Sequence, residues 1–120
     1  MTEHVERVLP EEACGMIGGK GTRATIIIPI TNDLHSNVKF SMNPLEQLSS
    51  LMALEKSDID LLAIYHSHPN GPIFPSESDV TGYGYPDAAV IIWAQEGSWQ
   101  AKGYFVRNNQ VISNVTLNIE

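Results

Sequence analysis

At 120 residues, 42% of them apolar and 18% charged, the chain suits one globular domain over residues 1–120 and is too short for a (β/α)8 barrel. Seven basic against fourteen acidic residues leave a formal charge of −7, which argues against a polyanionic partner, so no nucleic acid is expected. The longest apolar-rich stretches, Ala24 to Ile30 and Ala88 to Ala94, fall far below the roughly 20 residues of a membrane-spanning helix and read as buried strands. No membrane association is expected. The start mixes charges through a short apolar pattern and lacks the basic and continuous apolar regions of an export signal. Cys14 is the only cysteine, so no internal disulfide can form, and the cytoplasm is the default compartment.

In chain order, Val5, Val8 and Leu9 recur at helical spacing, which predicts a short helix over 2–9 that ends around Pro10. The small apolar run Ala13 to Gly19 and the β-branched run Thr25 to Ile30 predict two adjacent strands, followed by turn chemistry at Thr31-Asn32-Asp33. Pro44 suits the first turn of a helix over 44–56 carrying Leu45, Leu48, Leu51, Met52 and Leu54. Leu61 to Tyr65 reads as a buried strand stopped by Pro69-Asn70-Gly71-Pro72, which leaves His66 and His68 at its end. Ser76-Glu77-Ser78-Asp79 has the capping-box form of a short helix. Strands then follow at Ala88 to Ala94, Gln100 to Arg107 and Val111 to Ile119, the last two turning at Asn108-Asn109. Strands outnumber helices, so the fold class is α/β, a sheet with helices packed on it.

Side chains alternate along a strand, so His66 and His68 share one face while Ser67 takes the other. Asp79 opens a short helix after a Pro/Gly-rich loop that can fold back to the strand end. Two neutral imidazoles and a carboxylate form a donor set suited to Zn²⁺, one per chain, and three protein ligands leave a fourth position for water. Amide hydrolysis also needs a proton carrier, and Glu12, just before a buried strand, is the candidate acid/base. Ser76, one turn before Asp79, is a candidate hydroxyl donor to the oxyanion of a tetrahedral intermediate.

Each of these residues also has a plainer reading. His-X-His alone is a weak signal, because histidines at strand ends are often rim residues. Ser76 and Asp79 could be an ordinary N-cap and first-turn acid, and Glu11-Glu12 two solvated charges. Cys14, inside an apolar strand, reads as a core residue and not a nucleophile, while His4 and His35 read as surface residues.

Taken together, Glu12, His66-Ser67-His68-Pro69 and Ser76-X-X-Asp79 resemble the JAMM signature of the JAB/MPN-plus metallopeptidases. Pro10-Glu11-Glu12-Ala13-Cys14-Gly15, Ile30-Thr31-Asn32 and Met42-Asn43-Pro44 extend the resemblance over essentially the whole chain. It implies a curved, mostly antiparallel or mixed sheet flanked by helices, similar to the cytidine-deaminase-like fold. It also implies hydrolysis of amide or isopeptide bonds at or near the C-terminus of ubiquitin-like proteins. The residues matching the family's zinc ligands are His66, His68 and Asp79, with Glu12 as acid/base and Ser76 assisting the oxyanion. The short run after Asp79 leaves no room for the insertion with which larger members hold ubiquitin. The chain therefore resembles the compact stand-alone prokaryotic branch, whose members are linked to sulfur-carrier proteins. A catalytically silent binding scaffold is the rival reading, although such relatives usually lack the ligands. A zinc deaminase would need Pro-Cys-X-X-Cys, which a single cysteine excludes.

Overall fold

The computed structural model describes residues 1–115. Three helices, α1 (Thr2–Arg7), α2 (Pro44–Lys56) and α3 (Glu77–Val80), accompany six strands: β1 (Cys14–Lys20), β2 (Arg23–Ile30), β3 (Asp60–His68), β4 (Ala89–Glu96), β5 (Ser98–Arg107) and β6 (Gln110–Val115). The strands form one sheet in the order β2-β1-β3-β4-β5-β6. Four of its pairings are antiparallel, and β3 runs parallel to β4, so the sheet is mixed as expected. The parallel pair requires a crossover, and the segment carrying α3 supplies it.

The helix expected over 44–56 has those bounds: Pro44 occupies the first turn and Asn43 caps it, accepting the Glu46 N–H at 3.0 Å. The first helix stops at Arg7, two residues earlier than expected. Asn108 and Asn109, both at positive φ, make the tight turn between β5 and β6. Of the strand expected over 111–119, the part beyond Val115 lies outside the described residues.

The sheet is covered on both faces. Val5 of α1 packs with Ala13, Ile17, Ala63, Tyr65, Ile91 and Trp93 on one side. Cys14, Met16, Ile30 and Ile64 face the other side with Leu51 of α2, and Val90, Ile92, Tyr104 and Val106 continue that side. Cys14 is a buried core residue, as expected. Gly15 is required where it stands: a Cβ there would meet the Tyr65 ring and the Ile28 carbonyl at 2.5 Å.

Two expectations are corrected. The Ala24–Ile30 stretch is not a buried strand, because β2 is an edge strand and only Ile30 in it is buried. An apolar run shows that a strand has an apolar face, not how many faces are covered. His4 is not a surface residue either; its Nδ1 lies 2.8 Å from the buried Tyr65 hydroxyl and it is 8% exposed.

Candidate active site

His66 and His68 are on the last turn of the pleat in β3, on the face shared with Cys14 and Ile64, and Ser67 points through to the α1 face. Cys14 pairs with His66 in an antiparallel register, and the bond from Ser67 N–H to the Ala13 carbonyl, 3.0 Å, carries that register one residue further. Glu12 then falls opposite His68. The Ser67 hydroxyl accepts the Ala13 N–H at 2.8 Å, so the residue between the two histidines anchors the backbone that presents the glutamate.

Asp79 arrives from the other direction. Ser76 caps α3, its hydroxyl accepting the Asp79 N–H at 3.2 Å while Asp79 Oδ2 accepts the Ser76 N–H at 2.8 Å. The same Oδ2 lies 3.0 Å from His66 Nε2 and 3.1 Å from His68 Nε2, and the two Nε2 atoms are 3.1 Å apart. The expected capping box and the expected convergence on the histidines are thus one arrangement. The loop between β3 and α3 is fastened at two carbonyls. His68 Nδ1–H donates to Pro72 O at 2.7 Å and the Tyr104 hydroxyl donates to Ile73 O at 2.9 Å.

That first bond places a proton on Nδ1, so in the neutral imidazole the Nε2 lone pair faces the other two atoms. Lone pairs on His68 Nε2 and Asp79 Oδ2 repel at such a distance unless a proton or a metal cation sits among them. Burial holds the His66 imidazole below its ordinary pKa, which favours the neutral, lone-pair-bearing form. Burial opposes ionisation of Asp79, but hydrogen bonds from His66 and His68 outweigh it and hold the carboxyl far below the usual carboxylate range. His68 is also penalised by burial, yet the Asp79 and Pro72 hydrogen bonds raise its pKa overall.

Glu12 is 3% exposed, and its Oε1 has no hydrogen-bond partner. Its carboxylate lies within 4.8 Å of ligand nitrogens on both histidines. Burial pushes its pKa up to about 7, against the attraction of His68 and helped by the Asp79 charge. A buried carboxylate stripped of partners is an unstable ornament and a useful proton carrier. Ser76 Oγ lies 3.0 Å from Ser78 Oγ, either hydroxyl able to donate, and accepts the Asp79 N–H at the cap.

Two contributors had no sequence signal beyond turn chemistry. Asn32, 7% exposed, donates to Glu12 O at 3.1 Å and Lys39 O at 3.0 Å and accepts from Leu34 N at 3.1 Å and Ser41 N at 3.0 Å. The segment it organises also gives Ser36 O to the Glu12 N–H at 2.7 Å, and its Phe40 stacks on His66 with ring centroids 4.5 Å apart. His35 of that segment is exposed, as expected, and pairs with Glu11 at 2.8 Å.

The mixed sheet brings a histidine pair, an aspartate and a buried glutamate together at one strand end, a set of side chains with the donor chemistry to hold a metal ion. The chain belongs to the prokaryotic homologs of the JAB domain, whose family model matches residues 1–104. It is similar to the desampylase of Pyrococcus furiosus, with 31% identity over 91% of this chain and 76% of that one. It is also similar to the CysO-cysteine peptidase of Mycobacterium tuberculosis, 35% identical over 77% of this chain and 64% of that protein, just under two thirds of its length. A solution structure of a protein from Desulfitobacterium hafniense superposes with a TM-score of 0.81 at 28% identity, covering 94% of this chain and 81% of that one. The family and the Glu12–His66–His68 cluster together indicate a metal site. No helix among the described residues is long and apolar enough to cross a membrane.

Proposed function

We propose that residues 1–120 form a single JAB/MPN-plus domain that is a zinc-dependent hydrolase. Its substrate is the amide or isopeptide bond at or near the C-terminus of a ubiquitin-like or sulfur-carrier protein, and its compartment is the cytoplasm. His66, His68 and Asp79 hold one zinc ion, Glu12 is the acid/base, and Ser76 assists the oxyanion. One observation carries the reading: three electron-rich atoms stand within 3.1 Å of one another beside a buried carboxylate oxygen with no partner.

The donor set fits the ion. Tetrahedral bonds of about 2.0–2.1 Å to nitrogen and oxygen give a ligand–ligand edge of about 3.3–3.4 Å, slightly longer than the 3.0–3.1 Å separations observed. When bound, zinc supplies Lewis acidity and a water whose pKa is lowered to about 7. The protein does the rest. Pro72 O orients His68, the Ser76 N–H orients Asp79, and Phe40 covers the His66 ring. Glu12, whose burial raises its pKa and so favours taking up a proton, takes one from the attacking water and passes it to the leaving nitrogen. The hydroxyl of that water stays on the acyl carbon as the C–N bond breaks, and the amine departs neutral. The Ser76 hydroxyl donates to the carbonyl oxygen as it gains charge. Among the relatives, a desampylase and a CysO-cysteine peptidase support both the peptidase chemistry and the class of protein substrate.

The test is Glu12→Gln, which keeps the side chain's size. The variant is expected to hold one zinc per chain by metal analysis and to lose about 10²- to 10⁴-fold in kcat on a ubiquitin-like protein extended beyond its terminal Gly-Gly. Full activity in the variant would remove Glu12 from the reaction.

A further inference from the structure

Asp79 also belongs to the wall of a cavity of about 260 Å³ that includes Lys39, Phe40, Met42, Tyr83 and Tyr85. That is smaller than the roughly 300–1,000 Å³ of pockets that take drug-sized ligands, so the space suits one residue and not a length of chain. The wall is largely apolar and aromatic and carries two formal charges. The Asp79 carboxylate is already engaged by two imidazoles and the Ser76 N–H. Lys39 is the opposite case. It is the one basic residue of that wall, and among the described residues its ammonium has no ion-pair partner, as is also true of Arg7, Arg23, Lys56 and Lys102. Its backbone is fixed, because Lys39 O accepts one of the four hydrogen bonds of Asn32. In a chain of net charge −7, an uncompensated cation beside the candidate centre selects an anionic group on what enters.

We propose that this cavity receives the residue that leaves in the hydrolysis, and that Lys39 pairs with that residue's free α-carboxylate. The chain then prefers substrates ending in an ordinary C-terminal amino acid over isopeptide-linked proteins. The proposal rests on the hydrolase reading above. Chemistry separates the two classes: an amino acid released from a chain terminus carries a carboxylate one carbon from the scissile nitrogen. A lysine side chain in isopeptide linkage carries none there, its own α-carboxyl being tied in a peptide bond farther away.

The experiment uses two peptides ending in Gly-Gly-Ala, one with a free carboxylate and one amidated. Their binding to zinc-loaded Glu12→Gln protein is measured by calorimetry, and their hydrolysis by the parent protein is followed in parallel. The free carboxylate is expected to bind about fivefold tighter, the upper size of a solvent-screened ion pair. Adding Lys39→Gln should bring the two affinities together, and Lys39→Arg should keep them apart. Equal binding of the two peptides, a preference that survives Lys39→Gln, or no binding of either overturns the proposal. Equal hydrolysis of both peptides would do the same while leaving the hydrolase reading intact. Lys39-dependent binding with no hydrolysis by the parent protein would instead overturn the hydrolase reading and leave the carboxylate site standing.

Discussion

Replacing Asn32 tests whether one side chain sets the position of Glu12. In Asn32→Ala all four hydrogen bonds are lost, and the carbonyls of Glu12 and Lys39 and the N–H groups of Leu34 and Ser41 lose their partner together. At a net value of about 1 kcal/mol each, with water able to reach only some of the freed groups, the cost is about 3–4 kcal/mol. With an m-value near 1.5 kcal/mol/M, the urea midpoint of the metal-free protein should fall by roughly 2 M. Asn32→Asp separates anchoring from bulk stability, because the carboxylate still accepts from Leu34 and Ser41 but cannot donate to Glu12 O or Lys39 O. Steady-state kinetics should then show kcat falling more than KM changes, with zinc content unaltered, since His68 and Asp79 are held by other bonds and His66 by the pairing of its strand. A urea midpoint within about 0.3 M of the parent for Asn32→Ala would refute the energetic argument. Unchanged kcat in Asn32→Asp would refute the positioning role.

How much of this was legible depends on how far each signal travels along the chain. The α2 bounds could be read because Pro44 and a leucine pattern are local, yet the same pattern did not reveal that Leu45 is 76% exposed and Met52 61% exposed. The strand-end histidines and the Ser76–Asp79 capping box are also local devices, and alternation along β3 placed Ser67 on the far face. The geometry adds why Ser67 matters: its hydroxyl serves an N–H 54 residues away. Asn32 was visible only as turn chemistry because its chief partner, Glu12 O, is 20 residues distant. His4 was misread for the same reason, since its partner Tyr65 is 61 residues on, and β2 was misread because strand order is not written in any one strand. Polar residues that satisfy distant backbone leave little trace in local pattern, whereas a metal-ligand set does, because ligand chemistry restricts residue type.

Two further outcomes follow from the same contacts. His68→Ala removes one of three proposed ligands and the side chain that holds Pro72 O, so zinc should be lost on dialysis, and added zinc should no longer raise Tm. Unchanged zinc stoichiometry would refute the ligand set. His4 gives a pH dependence. Burial, then the charges of Arg7 and the N-terminal amine, hold its pKa below 6.5 in the folded chain. Between the lowered folded value and 6.5 the unfolded chain therefore binds more protons than the folded one. The contribution of His4 is fully present above pH 6.5 and is lost as the pH falls toward the folded value. Glu12, whose pKa is raised, acts in the opposite direction, so parent and His4→Gln must be compared at each pH. Gln can still hydrogen-bond the Tyr65 hydroxyl but does not titrate. In urea titrations at pH 7.5 and 5.5, the parent should lose more stability than the variant on acidification. Parallel losses in both would show that His4 is not the group protonated on unfolding.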